Sequence, residues 1–251
     1  MGIEDIRDAL VIRERSAFLL TDREGRVPEG NTQGFGLYHA DTRHVSALDL
    51  TVNGAPPVVL LSTAELGYAM EQVITNNTYA DGVRTIGRGT VELRRVRVMA
   101  DPLEETILLR NFNHFAVQMS IGYEFAADFA DIFDVRGYQR ERSGTHLPPS
   151  VDEATVSYRY VGVDGAERKT HLRFDPAPEY LDHRSARFTV DVPPRGEAHL
   201  RLEVALHGAS PRKRTRPSWR ACKSASSAPP LAKMRSSSAM VRRSCNCQRS
   251  R

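Results

Sequence analysis

The sequence predicts an all-β protein built as a large antiparallel β-sandwich, and three observations support this. Apolar and polar residues alternate along many short runs, such as Val117–Phe125 and Leu200–Leu206, as in strands with one buried and one solvated face. Turn-forming residues such as Asn53-Gly54 separate the runs. No amphipathic pattern extends beyond about two helical turns. A closed barrel is the alternative arrangement of the same strands.

The predicted strands follow one another along the chain with tight turns between them, and there are about twelve candidates. In chain order, the clearest runs are Ala17–Thr21, Leu48–Val52, Val117–Phe125, Thr155–Val163, Arg168–Phe174, Ala186–Val192 and Leu200–Leu206. The turns after several of them are Asp22–Gly25, Asn53-Gly54, Asp164-Gly165 and Pro193–Gly196. Neighbours joined in this way pair as hairpins, which favours a meander-like sandwich.

One long segment does not fit the strand pattern. Gly137–Ala154 is polar, contains proline and glycine, and has no period of two. Such composition is typical of a connection between elements. We therefore expect a long surface loop over these residues.

Charge divides the chain near Ser210. Residues 1–210, the body, contain all 31 Asp and Glu and 23 of the 35 Lys and Arg, a net charge of −8. Residues 211–251 contain the other 12 Lys and Arg and no acidic residue. We therefore predict a folded β-sandwich over residues 1–207 and a disordered, basic, Ser- and Arg-rich tail over residues 208–251.

Three explanations of the tail remain open. Lys169 is the only lysine of the body, which indicates a GC-rich gene, and such a gene read out of frame yields Arg, Ser, Ala, Pro and Cys. A frameshifted reading is thus one explanation, and a real disordered tail is the second. The third is a nucleic-acid-binding element, although the basic residues follow no helical or strand period. We expect no specific nucleic-acid partner, because the acidic body repels phosphate.

Composition also suggests a compartment. The body has no cysteine, which fits a reducing environment. The first five residues contain Glu4 and Asp5, where a secretion signal would be basic. No apolar run approaches the ~20 residues of a membrane-spanning helix. The sequence therefore predicts a cytoplasmic protein without a membrane partner.

Three segments carry a distinctive pattern. Residues 36–54 read GLYHADTRHVSALDLTVNG, residues 107–113 read ILLRNFN, and residues 126–137 read AADFADIFDVRG. Together and in this order they resemble the N-terminal domain of bacterial glycogen-debranching-type proteins, the amylo-α-1,6-glucosidase group. The resemblance covers roughly residues 8–207, and the third segment is its most specific part.

The resemblance implies a supersandwich-like β-domain that precedes a separate α/α-barrel glycosidase domain with the catalytic carboxylates. This chain reaches its basic tail where that barrel would begin. The expected function is therefore a non-catalytic module of a glycoside hydrolase, which packs on the barrel and helps to shape its α-glucan site. We assign no catalytic residue, cofactor or metal to this chain alone.

Two other functions remain as alternatives. A free-standing α-glucan-binding module would stack sugars on aromatic rings, and without a tryptophan in the body it would depend on tyrosines. The candidates are Tyr38, Tyr68, Tyr79 and Tyr138. A small independent hydrolase is the third option, but no nucleophile elbow, phosphate loop or zinc-protease motif occurs in the sequence.

The acidic segment Asp128–Asp134 is the first candidate contact site, with Asp128 and Asp131 as its key residues. We expect a short helical turn that Phe129 and Phe133 anchor on the sandwich, so that the carboxylates point outward. A solvated capped turn, a contact with a neighbouring domain or sugar, and calcium binding are the three readings of this pattern. Calcium requires six to eight oxygen ligands, and no calcium-loop sequence is present.

The second candidate pair is Asp41 and Arg43. We expect these residues to form a structural ion pair or hold a turn, with an interdomain or ligand contact as the alternative. His39, Asp41 and His44 could be imagined as metal ligands, but His44 lies on the other face of a strand from the other two.

Overall fold

The computed structural model describes residues 9–101, 103–138 and 143–206. The strands in these residues are β1 (Leu10–Glu14), β2 (Ala17–Thr21), β3 (Gly36–His39), β4 (Thr42–Val45), β5 (Ala47–Val52), β6 (Val58–Thr63), β7 (Ala69–Thr75), β8 (Tyr79–Ala80), β9 (Thr85–Ile86), β10 (Val91–Val98), β11 (Leu103–Asn111), β12 (Val117–Ala126), β13 (Thr145–Asp152), β14 (Thr155–Val161), β15 (Glu167–Asp175), β16 (Tyr180–Leu181), β17 (Ser185–Val192) and β18 (Glu197–Leu206). One short helix, α1 (Ile132–Val135), follows β12. The all-β prediction is confirmed. The tail and the boundary at residue 207 lie outside the described residues.

The largest sheet has eight antiparallel strands in the order β13-β14-β15-β18-β11-β10-β7-β6. Every second side chain of its central strands is buried, as for Leu103, Ile107 and Leu109 in β11. One face of the sheet therefore lines the core, and the other face is partly solvated. Within the described residues the sheet ends at β13 and β6, so it is open and the alternative of a closed barrel is wrong.

A second sheet, in the order β16-β17-β12-β5, packs on the inner face of the first. Rings from both sheets meet in the core: Phe174 of β15 lies 5.6 Å from Tyr123 of β12 and 5.7 Å from Phe188 of β17. The exposed and buried residues of β12 alternate as its sequence predicts. This pair of sheets confirms the predicted sandwich.

A third sheet consists of β1-β2-β3-β4, and β8 with β9 forms a small hairpin. The third sheet joins the same core through buried residues such as Leu19 and Leu37. Its strand β4 contacts β15 through a hydrogen bond between the Thr170 hydroxyl and the His44 carbonyl, at 3.2 Å. These contacts position the β3–β4 hairpin beside one end of the largest sheet.

The predicted turns are present. Asn53 and Gly54 both have positive φ, 52° and 74°, as a type I′ turn requires. Gly165 has a φ of 75° in the turn between β14 and β15. Of the strands joined by these three turns, only β14 and β15 pair as a hairpin. The turn at Asn53-Gly54 leads from β5 to β6, and residues 193–196 lead from β17 to β18; each of these turns joins strands of two different sheets, so the expected hairpin pairing is wrong there.

The expectation of a long loop over Gly137–Ala154 is wrong, because β13 occupies Thr145–Asp152. Its side chains are mostly exposed and it has a neighbour on one side only, β14. An edge strand tolerates proline, since half of its N–H groups have no ladder partner. The register shifts between Leu147 and Ser150, where the two prolines lie, so the strand has no regular alternation in its sequence.

Candidate functional site

The turn between β3 and β4 holds the first candidate residue, Asp41. Ala40 and Asp41 both have positive φ, 45° and 64°, which gives the tight hairpin its twist. The Asp41 side chain is exposed, and its carbonyl oxygen accepts a hydrogen bond from the Ile132 N–H at 2.9 Å. Asp41 therefore holds a turn and contacts α1 through its backbone.

Arg43 pairs with Asp128, 85 residues further along the chain, and not with Asp41. The Arg43 Nε–H donates to both carboxylate oxygens, at 3.2 and 3.1 Å, and Nη2 donates to Oδ2. The exposed fractions of the two side chains are 12% and 34%. Burial alone would lower the pKa of Arg43, but the contact with Asp128 outweighs it and raises the pKa. The expected Asp41–Arg43 ion pair is therefore corrected to Arg43–Asp128.

Backbone hydrogen bonds join the same two segments. The Arg43 N–H donates to the Ala130 carbonyl at 2.8 Å, and Thr42 forms a β-bridge with Asp131. The residues DTR of the first motif and ADFAD of the third thus form one contact. Because the pair is bidentate and partly buried, it fixes the path of the chain after β12.

The acidic segment differs from the expected helical turn. Phe129 has a φ of 49°, is 4% exposed and stacks on Tyr160 with ring centroids 5.5 Å apart. The helix begins only after Asp131, whose side chain accepts a hydrogen bond from the Phe133 N–H at 2.9 Å. Asp128 and Asp131 therefore do not share a helical face, and Asp131 caps α1.

Phe133 is not an anchor, which corrects a second expectation. Its side chain is 53% exposed, and that of Tyr138 is 68% exposed. The two rings are edge to face, with centroids 6.1 Å apart. Two exposed aromatic rings beside a capped acidic turn form a small amphipathic surface, here called the aromatic rim.

Two glycines allow close approaches at this site, Gly36 to the Arg43 side chain and Gly34 to Val135 of α1. A Cβ atom on Gly36 would lie 2.6 Å from Cδ of Arg43 and 2.7 Å from the Val45 carbonyl oxygen. A Cβ atom on Gly34 would lie 3.3 Å from Val135 of α1. The two glycines of the segment Gly34-Phe35-Gly36 therefore serve close packing.

His44 is a buried structural residue. It is 1% exposed, and its Nδ1 lies 3.1 Å from the Thr170 hydroxyl. Within the described residues no group of three or more His, Cys, Asp or Glu side chains could hold a metal ion. In the same residues no helix is long and apolar enough to cross a membrane.

The LRN motif also has a structural role. Asn111 Nδ2 donates to the carbonyls of Phe115, Val192 and Pro193, at 2.7, 3.2 and 3.0 Å. Arg110 pairs with Glu197 of β18 at 2.6 Å on the solvated face. These bonds tie the end of β11 to the turn before β18.

A buried ionic cluster on the inner face of the largest sheet was not predicted. Arg95, Arg97 and Glu105 are each at most 2% exposed. Glu105 Oε2 lies 2.6 Å from Arg97 Nε and 3.0 Å from Arg95 Nη2. The Tyr123 hydroxyl donates to Glu105 Oε1 at 2.6 Å, and Arg97 Nη1 donates to the Gly25 carbonyl at 2.6 Å.

The two arginines share one carboxylate, and this shifts the pKa values of the cluster. Burial alone would raise the pKa of Glu105, but Arg95, Arg97 and the Tyr123 hydroxyl lower it to about 2. Burial and the neighbouring Arg95 lower the pKa of Arg97. The cluster links β10, β11 and β12 with the turn at Gly25, and it leaves no carboxylate free for chemistry.

The body has small surface pockets. One, of about 240 Å³, lies beside β17 and β18, and another, of about 210 Å³, is lined by Asp49, Glu124 and Arg184, among others. Both are smaller than the ~300–1,000 Å³ of typical ligand sites. Neither is lined by Arg43 or Asp128.

The fold has relatives among solved structures. A candidate kojibiose phosphorylase from the human microbiome aligns with a TM-score of 0.52 and 7% identity, over 80% of this chain and 30% of that one. A protein from Synechocystis sp. PCC 6803 aligns with a TM-score of 0.47 and 8% identity, over 79% and 95% of the two chains. A candidate aldose 1-epimerase from Escherichia coli K12 aligns with a TM-score of 0.44 and 8% identity, over 79% and 98%. At such identities the likeness concerns the fold alone.

The fold and the paired motifs define a β-sandwich module. This chain aligns with less than a third of the length of the phosphorylase structure, so it spans only part of that relative. No curated protein sequence matches this chain. Residues 12–203 match the family described as the N-terminal domain of (some) glycogen debranching enzymes. The chain belongs to this family, which confirms the resemblance in its three motifs.

Proposed function

We propose that this chain is a non-catalytic module of a glycogen-debranching-type glycoside hydrolase. It packs on an α/α-barrel catalytic domain, in the same polypeptide or in a separate chain, and shapes the α-glucan site of that barrel. Membership of the family supports this proposal. The observation that carries it is the Arg43–Asp128 pair, which holds the aromatic rim in a fixed position.

The aromatic rim has the composition of an interface. Exposed aromatic rings flanked by polar groups are enriched at protein contacts and often supply most of the binding energy. Phe133 and Tyr138 are such rings, and Asp131 and Arg136 flank them. A barrel helix end could donate hydrogen bonds to a carboxylate here, because the N-terminus of a helix carries partial positive charge.

The position of the last described strand also supports docking at the end of the sandwich that carries the aromatic rim. Leu206, the last described residue of β18, pairs with Thr170. The Thr170 hydroxyl bonds to the carbonyl of His44, the neighbour of Arg43. A domain that follows β18 therefore starts on the same end of the sandwich as the aromatic rim.

The test measures binding of this protein to an α/α-barrel domain from a full-length debranching enzyme of the family. We expect saturable binding that the double substitution Phe133→Ala and Tyr138→Ala weakens at least about tenfold. Val83→Ala is the matched control, since Val83 is 81% exposed in another turn. The protein alone should not hydrolyse glycogen. Equal binding by the double variant and the control would contradict the proposal.

One observation favours α-glucan binding by the module itself as a second candidate. Of the four candidate tyrosines, Tyr68 and Tyr138 are 48% and 68% exposed, and Tyr38 is 2% exposed and stacked on Phe18. Tyr79 is partly buried. Retardation of the barrel-free protein in glycogen-containing gels, lost on Tyr138→Ala, would favour this candidate over domain docking.

A further inference from the structure

The buried ionic cluster of Arg95, Arg97 and Glu105 carries one excess positive charge. Both arginines stay protonated in proteins, and Glu105 is ionised because its pKa is lowered to about 2. Burial and the neighbouring Glu105 raise the pKa of Tyr123 well above its ordinary value, so this hydroxyl contributes no negative charge. Among the described residues, Glu105 is the one carboxylate that forms an ion pair with either arginine. Two cations therefore share one carboxylate.

An excess charge at this depth requires a further partner. Arg95 and Arg97 are 1% and 0% exposed, so bulk water does not solvate them. An isolated charge in a protein interior is very costly, and buried charges are therefore paired. Both oxygens of Glu105 are already in use, because Oε1 accepts a hydrogen bond from the Tyr123 hydroxyl and Oε2 contacts both arginines.

The hydrogen-bond donors of the two arginines show where such a partner would bind. Within the described residues, Nε and Nη2 of Arg95 and Nη2 of Arg97 have no hydrogen-bond partner. The contact of Arg95 Nη2 with Glu105 Oε2, at 3.0 Å, is an ion pair without hydrogen-bond geometry. Nε and Nη2 form the edge of a guanidinium that grips an anion with two bonds, and Arg26 binds Asp49 through this edge. The same edge of Arg95 is therefore suited to an anion.

A carboxamide lies beside these donors. Gln72 of β7 is 1% exposed and stands directly opposite Arg95 in the strand register. A Cβ atom on Gly25 would lie 2.6 Å from Gln72 Oε1, and the Gly25 carbonyl accepts a hydrogen bond from Arg97 Nη1 at 2.6 Å. The carboxamide is thus close to both arginines. Its Oε1 has no hydrogen-bond partner among the described residues, so it can accept one from an O–H group of a ligand.

We propose that this cluster binds one small monovalent anion between Arg95, Arg97 and Gln72. The anion neutralises the excess charge and accepts hydrogen bonds from the unpartnered arginine nitrogens. Water accepts the same hydrogen bonds but leaves the charge uncompensated, so the charge balance favours an anion. Two anions share this chemistry, chloride and hydrogen carbonate, and the O–H group of the second also matches Gln72 Oε1. The proposal is independent of the function proposed above.

Thermal unfolding of the full chain in different sodium salts tests the proposal. Chloride and hydrogen carbonate are each compared with gluconate, at one pH and one ionic strength, because gluconate is too large for an enclosed site. We expect Tm to rise by about 3–6 °C when the concentration of the bound anion is about ten times its Kd. The salt that raises Tm at the lower concentration identifies the preferred anion.

Two variants show whether the effect arises at the cluster. Arg95→Met removes the excess charge and keeps the Arg97–Glu105 pair, so the variant should fold and its Tm should not depend on the anion. Arg94→Met is the matched control, since Arg94 is the next residue on the same strand and is 39% exposed in an ion pair with Glu71. The control should keep the Tm increase of the wild type. Both variants retain the basic tail, so anions that bind there affect both equally. An equal increase in the wild type and both variants overturns the proposal.

Crystals of the wild-type protein provide a measurement that does not depend on a variant. Bromide has the charge of chloride and a strong anomalous signal. We expect an anomalous peak within hydrogen-bonding distance of Arg95 Nε and Arg97 Nη2 in bromide, or planar density at the same position in hydrogen carbonate. The proposal requires bound anion in at least one of these salts together with the anion-dependent Tm. The absence of either result overturns it.

Discussion

Replacement of Glu105 by glutamine should destabilise the protein strongly. The substitution keeps the shape of the side chain and removes the charge that Arg95 and Arg97 share at 3.0 and 2.6 Å. Both arginines are at most 1% exposed, and arginine stays protonated in proteins. Two buried cations would then face each other without a counterion.

The expected loss follows from this burial. Removing one partner of a buried ion pair costs about 3–5 kcal/mol, because the charge left behind is uncompensated. For a domain of about 200 residues, 1 kcal/mol shifts Tm by about 2–4 °C. We therefore expect Tm to fall by roughly 6–20 °C. The protein should still fold, because domains of this size have about 5–15 kcal/mol of stability.

Urea unfolding of wild type and variant measures the change, and Glu197→Gln is the matched control. Glu197 pairs with Arg110 at 2.6 Å, but the two side chains are 39% and 38% exposed. An exposed pair contributes about 0–1 kcal/mol. The reasoning is refuted if the two substitutions lower the free energy of unfolding equally.

The pH dependence gives a second check with a defined sign. The folded-state pKa of Glu105 is about 2, below the ordinary value of 4.5. A carboxyl with a lowered pKa stabilises the protein fully above its ordinary pKa, and this contribution is lost as pH falls toward the folded-state pKa. The difference between wild type and Glu105→Gln should therefore shrink between pH 4.5 and pH 2. A difference that stays constant over this range would show that Glu105 does not titrate as the cluster requires.

The other stability predictions concern the motifs, and urea unfolding measures each of them. Asp128→Asn should lower the free energy of unfolding by about 1–3 kcal/mol, because it leaves Arg43 without its charged partner. Asp131→Asn should leave the free energy of unfolding nearly unchanged, because asparagine caps a helix as well as aspartate does. Equal effects would contradict this assignment. Gly36→Ala should cost about 1–3 kcal/mol through overpacking against Arg43, and an unchanged midpoint would contradict the close approach. Asn111→Ala should cost about 1–3 kcal/mol per buried carbonyl left unpaired, and a loss under 0.5 kcal/mol would mean that water replaces the amide.

The regular strands were predictable from the sequence because their burial is one-sided. The alternation in β12, β17 and β18 follows directly from one face on the core and one in water. The turns were predictable because positive φ favours Asn and Gly, as at Asn53 and Gly54. These local rules need no knowledge of distant partners.

The edge strand β13 and the buried cluster were not predictable by the same rules. An edge strand has no buried face of its own, so the sequence of Thr145–Asp152 shows no period. In β10 the charged residues Arg95 and Arg97 occupy the inward positions that apolar residues normally take. One pattern in the β10–β11 hairpin could have indicated the cluster. The register of the two strands places Arg97 directly opposite Glu105, and opposite charges across a strand pair attract each other.

The acidic segment illustrates a third limit, that of distant contacts. Its spacing of three between aspartates is compatible with a helix, and a short helix does form after Asp131. Phe129 leaves helical geometry because Ala130 and Asp131 pair with β4. The assignment of Asp41, Arg43, Asp128 and Asp131 to an interface or glucan contact stays a prediction.

The motifs that identify the family are used mainly inside the fold. Arg43 bonds to Asp128 and Asn111 to three backbone carbonyls. Because their polar atoms already have partners within the body, these side chains have little capacity left for a ligand. A motif of this kind stabilises the path of the chain. Partner domains or ligands then bind to the exposed surfaces that this path positions. The aromatic rim is such a surface, and substitution of its exposed rings should change binding without changing the stability of the isolated protein.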